Sequence, residues 1–203
     1  MTDLDKLWLA ALQEVVGRAA HEVKDALNGV HLNLEALRSR SARPGASMKD
    51  LANFATNAAD QLESLSARTE SLLFLTRSHR SASGPADVAV TLKHLATLLV
   101  PATRADGGTL VVEGYQRLAP TVASAQAVRL ALAAALLELT EEGGSSRCQL
   151  ELPRDEGSST VVRFSHEPAR TSSLDPVVAS AIAAHQIRPE SSGSELLIVF
   201  PGS

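Results

Sequence analysis

The sequence predicts an α+β protein, a long two-helix hairpin followed by an α/β sandwich. Three observations carry this. Apolar residues alternate four and three apart in two long runs. The first is Val16, Ala20, Val23, Leu27, Val30, Leu34 and Leu37, and the second is Leu51, Ala55, Ala58, Leu62, Leu65, Thr69, Leu72 and Thr76. That spacing is the seam of a helix packed in a bundle. Between the runs lies a short turn, Ser41-Ala42-Arg43-Pro44-Gly45-Ala46. After a polar stretch at 77–85, the pattern changes to helix, strand, helix, strand, strand, helix, strand. That order places helices on one face of a mixed sheet.

The first helix is expected from about Asp3 to Arg40, capped by Asp3 or Thr2, with Leu4, Leu7, Trp8, Leu12 and Val15 extending its apolar face. Gly17 and Gly29 within it each cost about 1 kcal/mol relative to alanine. Ser47 caps the second helix, with Asp50 as a short-armed capping-box partner. Two long helices and a short loop form a hairpin. Alone, it leaves an apolar stripe uncovered. Pairing two copies into a dimeric four-helix bundle would bury that stripe, whereas packing against the C-terminal half is the alternative. The hairpin unit is read as 1–80 and the second unit as 86–203.

In the second unit, Asp87 caps a helix running to about Arg104. Leu110 to Glu113 reads as a strand after the Asp106-Gly107-Gly108 turn. Ala123 to Glu142 reads as a strongly apolar helix ended by Gly143-Gly144. Cys148 to Leu152, Thr160 to Ser165 and Glu195 to Phe200 read as strands, with a short helix from Leu174 to His185.

Composition narrows the function. A net charge of -4 argues against nucleic acid as a main partner. Aromatics are only 3%, so alanine and leucine build the core, which suits helices. Cys148 is the single cysteine, which excludes an internal disulfide and a CxxC metal site. No apolar run reaches the roughly 18 residues that span a bilayer. Asp3 and Asp5 occupy the place of a basic leader region. The expectation is a soluble, cytoplasmic protein without a membrane segment.

The chemistry-bearing stretch is Arg18-Ala19-Ala20-His21-Glu22-Val23-Lys24-Asp25-Ala26-Leu27-Asn28. His21 follows the seam residue Ala20, so it sits about 100° round the helix from that seam. An imidazole on the rim of a bundle beside a carboxylate is a candidate nucleophile: Nε2 attacks a phosphoryl group while the carboxylate orients the ring or takes its proton. The alternative is a solvated surface histidine.

His21-Glu22-Val23-Lys24-Asp25-Ala26-Leu27 resembles the H-box of sensor histidine kinases, which reads His, acidic, apolar, basic, Asn or Thr, Pro, Leu. Asp25 and Ala26 depart from that pattern, and Ala26 in place of proline leaves the helix straighter. The hairpin resembles the dimerisation and phosphotransfer unit of that family. The order of elements that follows resembles its ATPase domain, beginning at Pro85-Ala86-Asp87-Val88-Ala89-Val90-Thr91-Leu92. With twenty residues before His21, the chain is expected to carry no sensor of its own.

The resemblance implies three nucleotide-binding parts that the sequence lacks. The magnesium-coordinating Asn would stand at or near Glu138, and the helix from Val128 to Glu138 has no Asn. The Asp-x-Gly-x-Gly adenine loop would follow Ser165, where the chain reads His166-Glu167-Pro168-Ala169-Arg170. The glycine-rich lid would lie between Leu174 and Glu195, where Gly193 is the sole glycine. A single substitution by a carboxylate could still hold Mg²⁺, but three losses together make ATP-dependent autophosphorylation improbable. No rival zinc-protease or serine-hydrolase pattern is present.

The resemblance therefore implies a histidine phosphotransferase with a degenerate ATPase-like domain. His21 would be the phosphoacceptor, Glu22 and Lys24 its helpers, and Asp25, Asn28 and His31 the docking surface. The partners implied are response-regulator receiver domains, a hybrid histidine kinase and a second copy of the chain. No cofactor is bound by the chain, Mg²⁺ being supplied in the receiver. The alternative is a non-catalytic regulator that binds a kinase or receiver through the same bundle.

Overall fold

The computed structural model describes residues 2–45, 47–77, 86–100, 110–141, 145–151, 159–167 and 173–203. The predicted linker residues 78–85, the Asp106-Gly107-Gly108 turn, Gly143-Gly144, most of the loop at 153–159 and residues 168–170 lie outside these.

Helix α1 spans Asp3–Ser41 and α2 spans Met48–Arg77. Thr2, not Asp3, caps α1. Its hydroxyl accepts from the Asp5 N–H at 3.2 Å, and the Asp5 carboxylate accepts from the Thr2 N–H at 2.7 Å. Arg38 and Arg40 sit in the last turn, where the helix dipole favours cations. Arg40 pairs with Asp50 at 3.2 Å across the turn, and the Ser47 hydroxyl accepts from the Asp50 N–H at 3.4 Å.

The buried stripe of α1 is Trp8, Val15, Ala19 and Ala26. It is rotated from the predicted seam, whose members Val16, Ala20, Leu27 and Leu34 are exposed. Small residues explain the choice. Ala19, Ala26 and Gly29 let α2 approach closely, and a Cβ on Gly29 would meet the Gln61 side chain at 3.5 Å. On α2, Ala58, Arg68, Ser71 and Leu75 are buried, while Ala55, Leu62, Thr69 and Thr76 of the predicted seam are exposed.

The second half begins with a two-residue strand, β1 (Ala86–Asp87), followed by α3 (Val88–Leu99), β2 (Leu110–Glu113), β3 (Pro120–Thr121) and α4 (Ala125–Glu141). Strands β4 (Ser145–Glu151) and β5 (Thr160–Glu167), helix α5 (Pro176–Ala183), and strands β6 (Arg188–Ser192) and β7 (Glu195–Phe200) complete it. The main sheet runs β2-β4-β5-β7-β6, with β2 and β4 parallel and the other neighbours antiparallel. β1 and β3 form a separate antiparallel pair. Neither this pair nor β6 was expected. β6 reads Arg-Pro-Glu-Ser-Ser and has no apolar alternation, as suits an edge strand, where Pro189 is tolerated.

One carboxylate joins two of these pieces. Asp87 caps α3 by accepting from the Val90 N–H at 2.9 Å, and its other oxygen accepts from the Ala119 N–H at 3.0 Å. Gly114 turns the chain out of β2 at φ +86, where a Cβ would stand 2.3 Å from the Leu150 carbonyl oxygen.

Alternation on the strands faces one side of the sheet to the helices. Cys148, Leu150, Val162, Phe164, Leu196, Ile198 and Phe200 are buried against α4, itself buried on nearly every side. Alanines at 127, 131, 133 and 135 let α4 lie between the sheet and its helical neighbours. Trp8, Val15, Ala19 and Leu75 belong to the same core cluster, so the base of the hairpin packs on the second half. Gln126 donates to Asp5 at 2.7 Å, and Arg18 donates to the Thr140 hydroxyl and to the Leu137 carbonyl at 3.4 Å. Asp5 and Arg18 lie about as far apart along α1 as Gln126 and Thr140 do along α4, and in the same order, so the two helices run parallel.

Between α2 and α3, His94 stacks on Phe74 with ring centroids 4.0 Å apart, and its Nδ1 lies 3.0 Å from the Ser71 hydroxyl. Burial, and then the charge of Lys93, hold His94 below its ordinary value of 6.5, while Glu70 acts in the opposite sense. A depressed folded-state value means that the unfolded chain binds the proton more readily. Stability contributed by neutral His94 is thus intact above pH 6.5 and is lost as the pH falls below it.

Two outcomes are expected. Asp87→Ala lowers unfolding free energy by about 2 kcal/mol, the upper end for a cap because two N–H groups lose their acceptor; urea titration measures it. Between pH 7.5 and 5.5, the urea midpoint of the wild type falls further than that of His94→Gln.

Candidate functional site

His21 lies midway along α1, just past Ala19, the last residue of the helix that joins the central core. It is exposed, and among the described residues it makes no hydrogen bond or ion pair. At about 100° per residue, the imidazole stands about 120° round the helix from exposed Leu27 and about 140° from buried Ala26. It therefore projects clear of the packed stripe and of the exposed apolar stripe. Lys24, Asp25 and Asn28 share that side of α1 and are exposed. His31 lies farther round the helix, also exposed, with Nε2 at 4.0 Å from Glu35.

Glu22 points elsewhere. Its carboxylate accepts from Arg68 Nη2 of α2 at 3.4 Å. Arg68 is 7% exposed and its Nη1 has no partner. Adjacent residues on a helix diverge by about 100°, which is why Glu22 reaches across the hairpin while its neighbour His21 faces water. Arg68 was not picked out from the sequence. The available signal was its place in the series Leu65, Arg68, Leu72, Leu75, where a cation in a buried register calls for an acid on the facing helix.

Arg18 is the second such residue. One turn before His21, it pairs with Glu14 at 2.9 Å and reaches the end of α4. The last turn of α4 therefore lies beside the stretch of α1 that carries His21. Glu138, the position expected for the magnesium-coordinating Asn, is in that part of α4 and half-buried. At the start of the expected adenine loop, His166 is buried, with Nδ1 at 3.1 Å from the Ser146 hydroxyl, which in turn donates to the Leu139 carbonyl. The segment expected to hold the lid forms α5 and β6, with Asp175 capping α5 through the Val177 N–H at 2.7 Å. No helix among the described residues is long and apolar enough to cross a membrane.

No protein-family profile matches the chain, and no curated protein matches its sequence. Solved structures do resemble it, loosely. The histidine kinase domain of the blue-light activated histidine kinase from Erythrobacter litoralis EL346 aligns at 15% identity and TM-score 0.40, over 85% of this chain and 94% of that one. Acinetobacter baumannii histidine kinase AdeS aligns at 13% identity and TM-score 0.36, over 90% and 97%. A further structure of the Erythrobacter litoralis EL346 kinase aligns at 15% identity and TM-score 0.38, over 83% and 62%.

The Glu22–Arg68 pair yields a stability test. Glu22→Gln strands a buried guanidinium and costs about 1–2 kcal/mol, the half-exposed carboxylate keeping the figure below that of a fully buried pair. Arg68→Met removes the buried charge with its unpaired nitrogen and costs less. Urea unfolding of the two variants checks the order.

Proposed function

We propose that this chain is a histidine phosphotransferase of a two-component phosphorelay. His21 receives a phosphoryl group from the aspartyl phosphate of one receiver domain, or of a hybrid histidine kinase, and passes it to another receiver. The observation that supports this reading best is the exposed imidazole, without a partner among the described residues, set in a stretch that resembles an H-box.

In this reading the Nε2 lone pair attacks phosphorus while the bond from phosphorus to the aspartyl oxygen breaks. The carboxylate leaves with that electron pair, and the Nδ1 proton passes to solvent or to Glu22 once it is released from Arg68. The reverse step returns the group to a second aspartate, since phosphohistidine and acyl phosphate are both high-energy species. Lys24 steers the anionic partner. Asp25, Asn28 and His31 form the docking surface with the adjoining part of α2. Mg²⁺ enters with the acidic pocket of the receiver, and the chain itself needs no ATP.

Residues 1–80 act as the dimerisation and phosphotransfer unit, and 86–203 as a degenerate ATPase-like unit. The dimer forms along the exposed stripes Leu9, Val16, Ala20, Leu27 and Leu34 of α1 and Ala55, Ala59, Leu62 and Leu73 of α2, which lie off the His21 face and leave both imidazoles open. A cytoplasmic location follows from this role.

A second reading, a non-catalytic regulator that blocks or scaffolds a kinase or receiver, is favoured by Asp25, by Ala26 and by the engagement of Glu22 with Arg68. One experiment separates the two. The protein is incubated with radiolabelled ATP, then with a panel of phosphorylated receivers, beside His21→Ala. Label is expected on the wild type from a receiver and not from ATP, with complete loss in His21→Ala. Label taken directly from ATP overturns the ATP-independent reading. No label from either source, with receiver or kinase binding intact in both proteins, establishes the regulator.

A further inference from the structure

We infer that the junction of α2, α3 and α4 seats a small oxyanion of phosphate size on Arg129. The inference is independent of the role of His21.

Arg129 stands in α4 between Val128 and Leu130, both buried, and is itself only 5% exposed. Its Nε–H has no acceptor. Among the described residues, Arg18, Arg40, Arg68 and Arg163 each face a carboxylate, whereas Arg129 faces none. Its one defined neighbour is the ring of Phe74, whose centroid lies 5.7 Å from the guanidinium carbon. A cation over an aromatic face recovers a small part of what burial removes. Removal from water pulls the guanidinium below its ordinary value, in keeping with the lack of a facing carboxylate among the described residues.

The surroundings favour the same ligand. Phe74 also stacks with His94, which meets Ser71. One turn before Ser71 on α2, Arg68 is 7% exposed and has a second unpaired buried nitrogen, Nη1. The helical region around Phe74 and Ser71 thus holds two buried guanidinium groups with unused donors, and among the described residues Arg68 meets the carboxylate of Glu22 whereas Arg129 meets none. Charge balance calls for an anion. The planar fork of Arg129 suits two oxygens of one ligand.

Thermal unfolding of the full chain tests this, with inorganic phosphate compared against chloride at equal ionic strength. The wild type is expected to gain several degrees, saturating with phosphate as mass action requires. Arg129→Gln loses the gain. His21→Ala and Arg147→Gln, an exposed arginine of β4, keep it. Arg129→Lys, which holds the charge without the fork, needs about tenfold more phosphate for the same shift, and serves if the glutamine variant fails to fold. Absence of a phosphate-specific gain in the wild type, or an equal gain in Arg129→Gln or Arg129→Lys, overturns the site.

Discussion

The burial of Trp8, Val15 and Ala19 along one stripe of α1 ties the hairpin to the sheet-bearing half. α4 could not otherwise be buried on the side away from the sheet, and its run of alanines and leucines would face water. Asp5 with Gln126 and Arg18 with Thr140 then fix how far α1 slides along α4. Because α1 contributes to the shared core only as far as Ala19, the next turn of α1 is where the helix leaves that core. His21 sits in that turn, exposed because it points away from the buried stripe of Val15, Ala19 and Ala26.

Much of this arrangement was legible in the residues. The caps at Thr2, Ser47 and Asp87 are local hydrogen-bond chemistry, readable without tertiary knowledge. β4, β5 and β7 show period-two alternation because one face is buried. β6 showed none, since an edge strand of Arg, Pro, Glu and Ser pairs through its backbone alone. The two-residue pair of β1 and β3 is too short to carry a pattern. The seam of α1 was misplaced because two apolar stripes compete on that helix. Val16, Leu27 and Leu34 follow the stronger repeat, yet alanines 19 and 26 face α2. Periodicity reports that a face is apolar, and not which surface covers it. At the site, His21 is exposed as expected, although the seam residue it was measured from, Ala20, is itself exposed. The pairing of Glu22 with Arg68 did not, because it depends on the register between two helices.

The polar groups inside the molecule sort by how they are satisfied. Ser146 and His166 link the sheet to the end of α4 through short contacts. Thr121 donates to the Pro201 carbonyl at 2.6 Å and fastens the chain end beside β3. Cys148, fully buried, has its thiol pushed far above its ordinary value by burial and acts as a small apolar residue of the core. On the opposite face of the sheet, Arg163 bridges Glu151 and Glu195 across three strands, which suits a surface left in water. The exceptions among the described residues are the Thr160 hydroxyl in β5 and one nitrogen each of Arg68 and Arg129, which lie on helices.

The length of α1 has a mechanical consequence. From Ala19 to its end at Ser41, the helix runs about 33 Å, with α2 packed along it. The outer hairpin is a lever with its fulcrum beside His21. Tilting it by about 5° would carry its tip about 3 Å, while the fulcrum itself barely moves. A load applied at the tip is felt near His21 as torque.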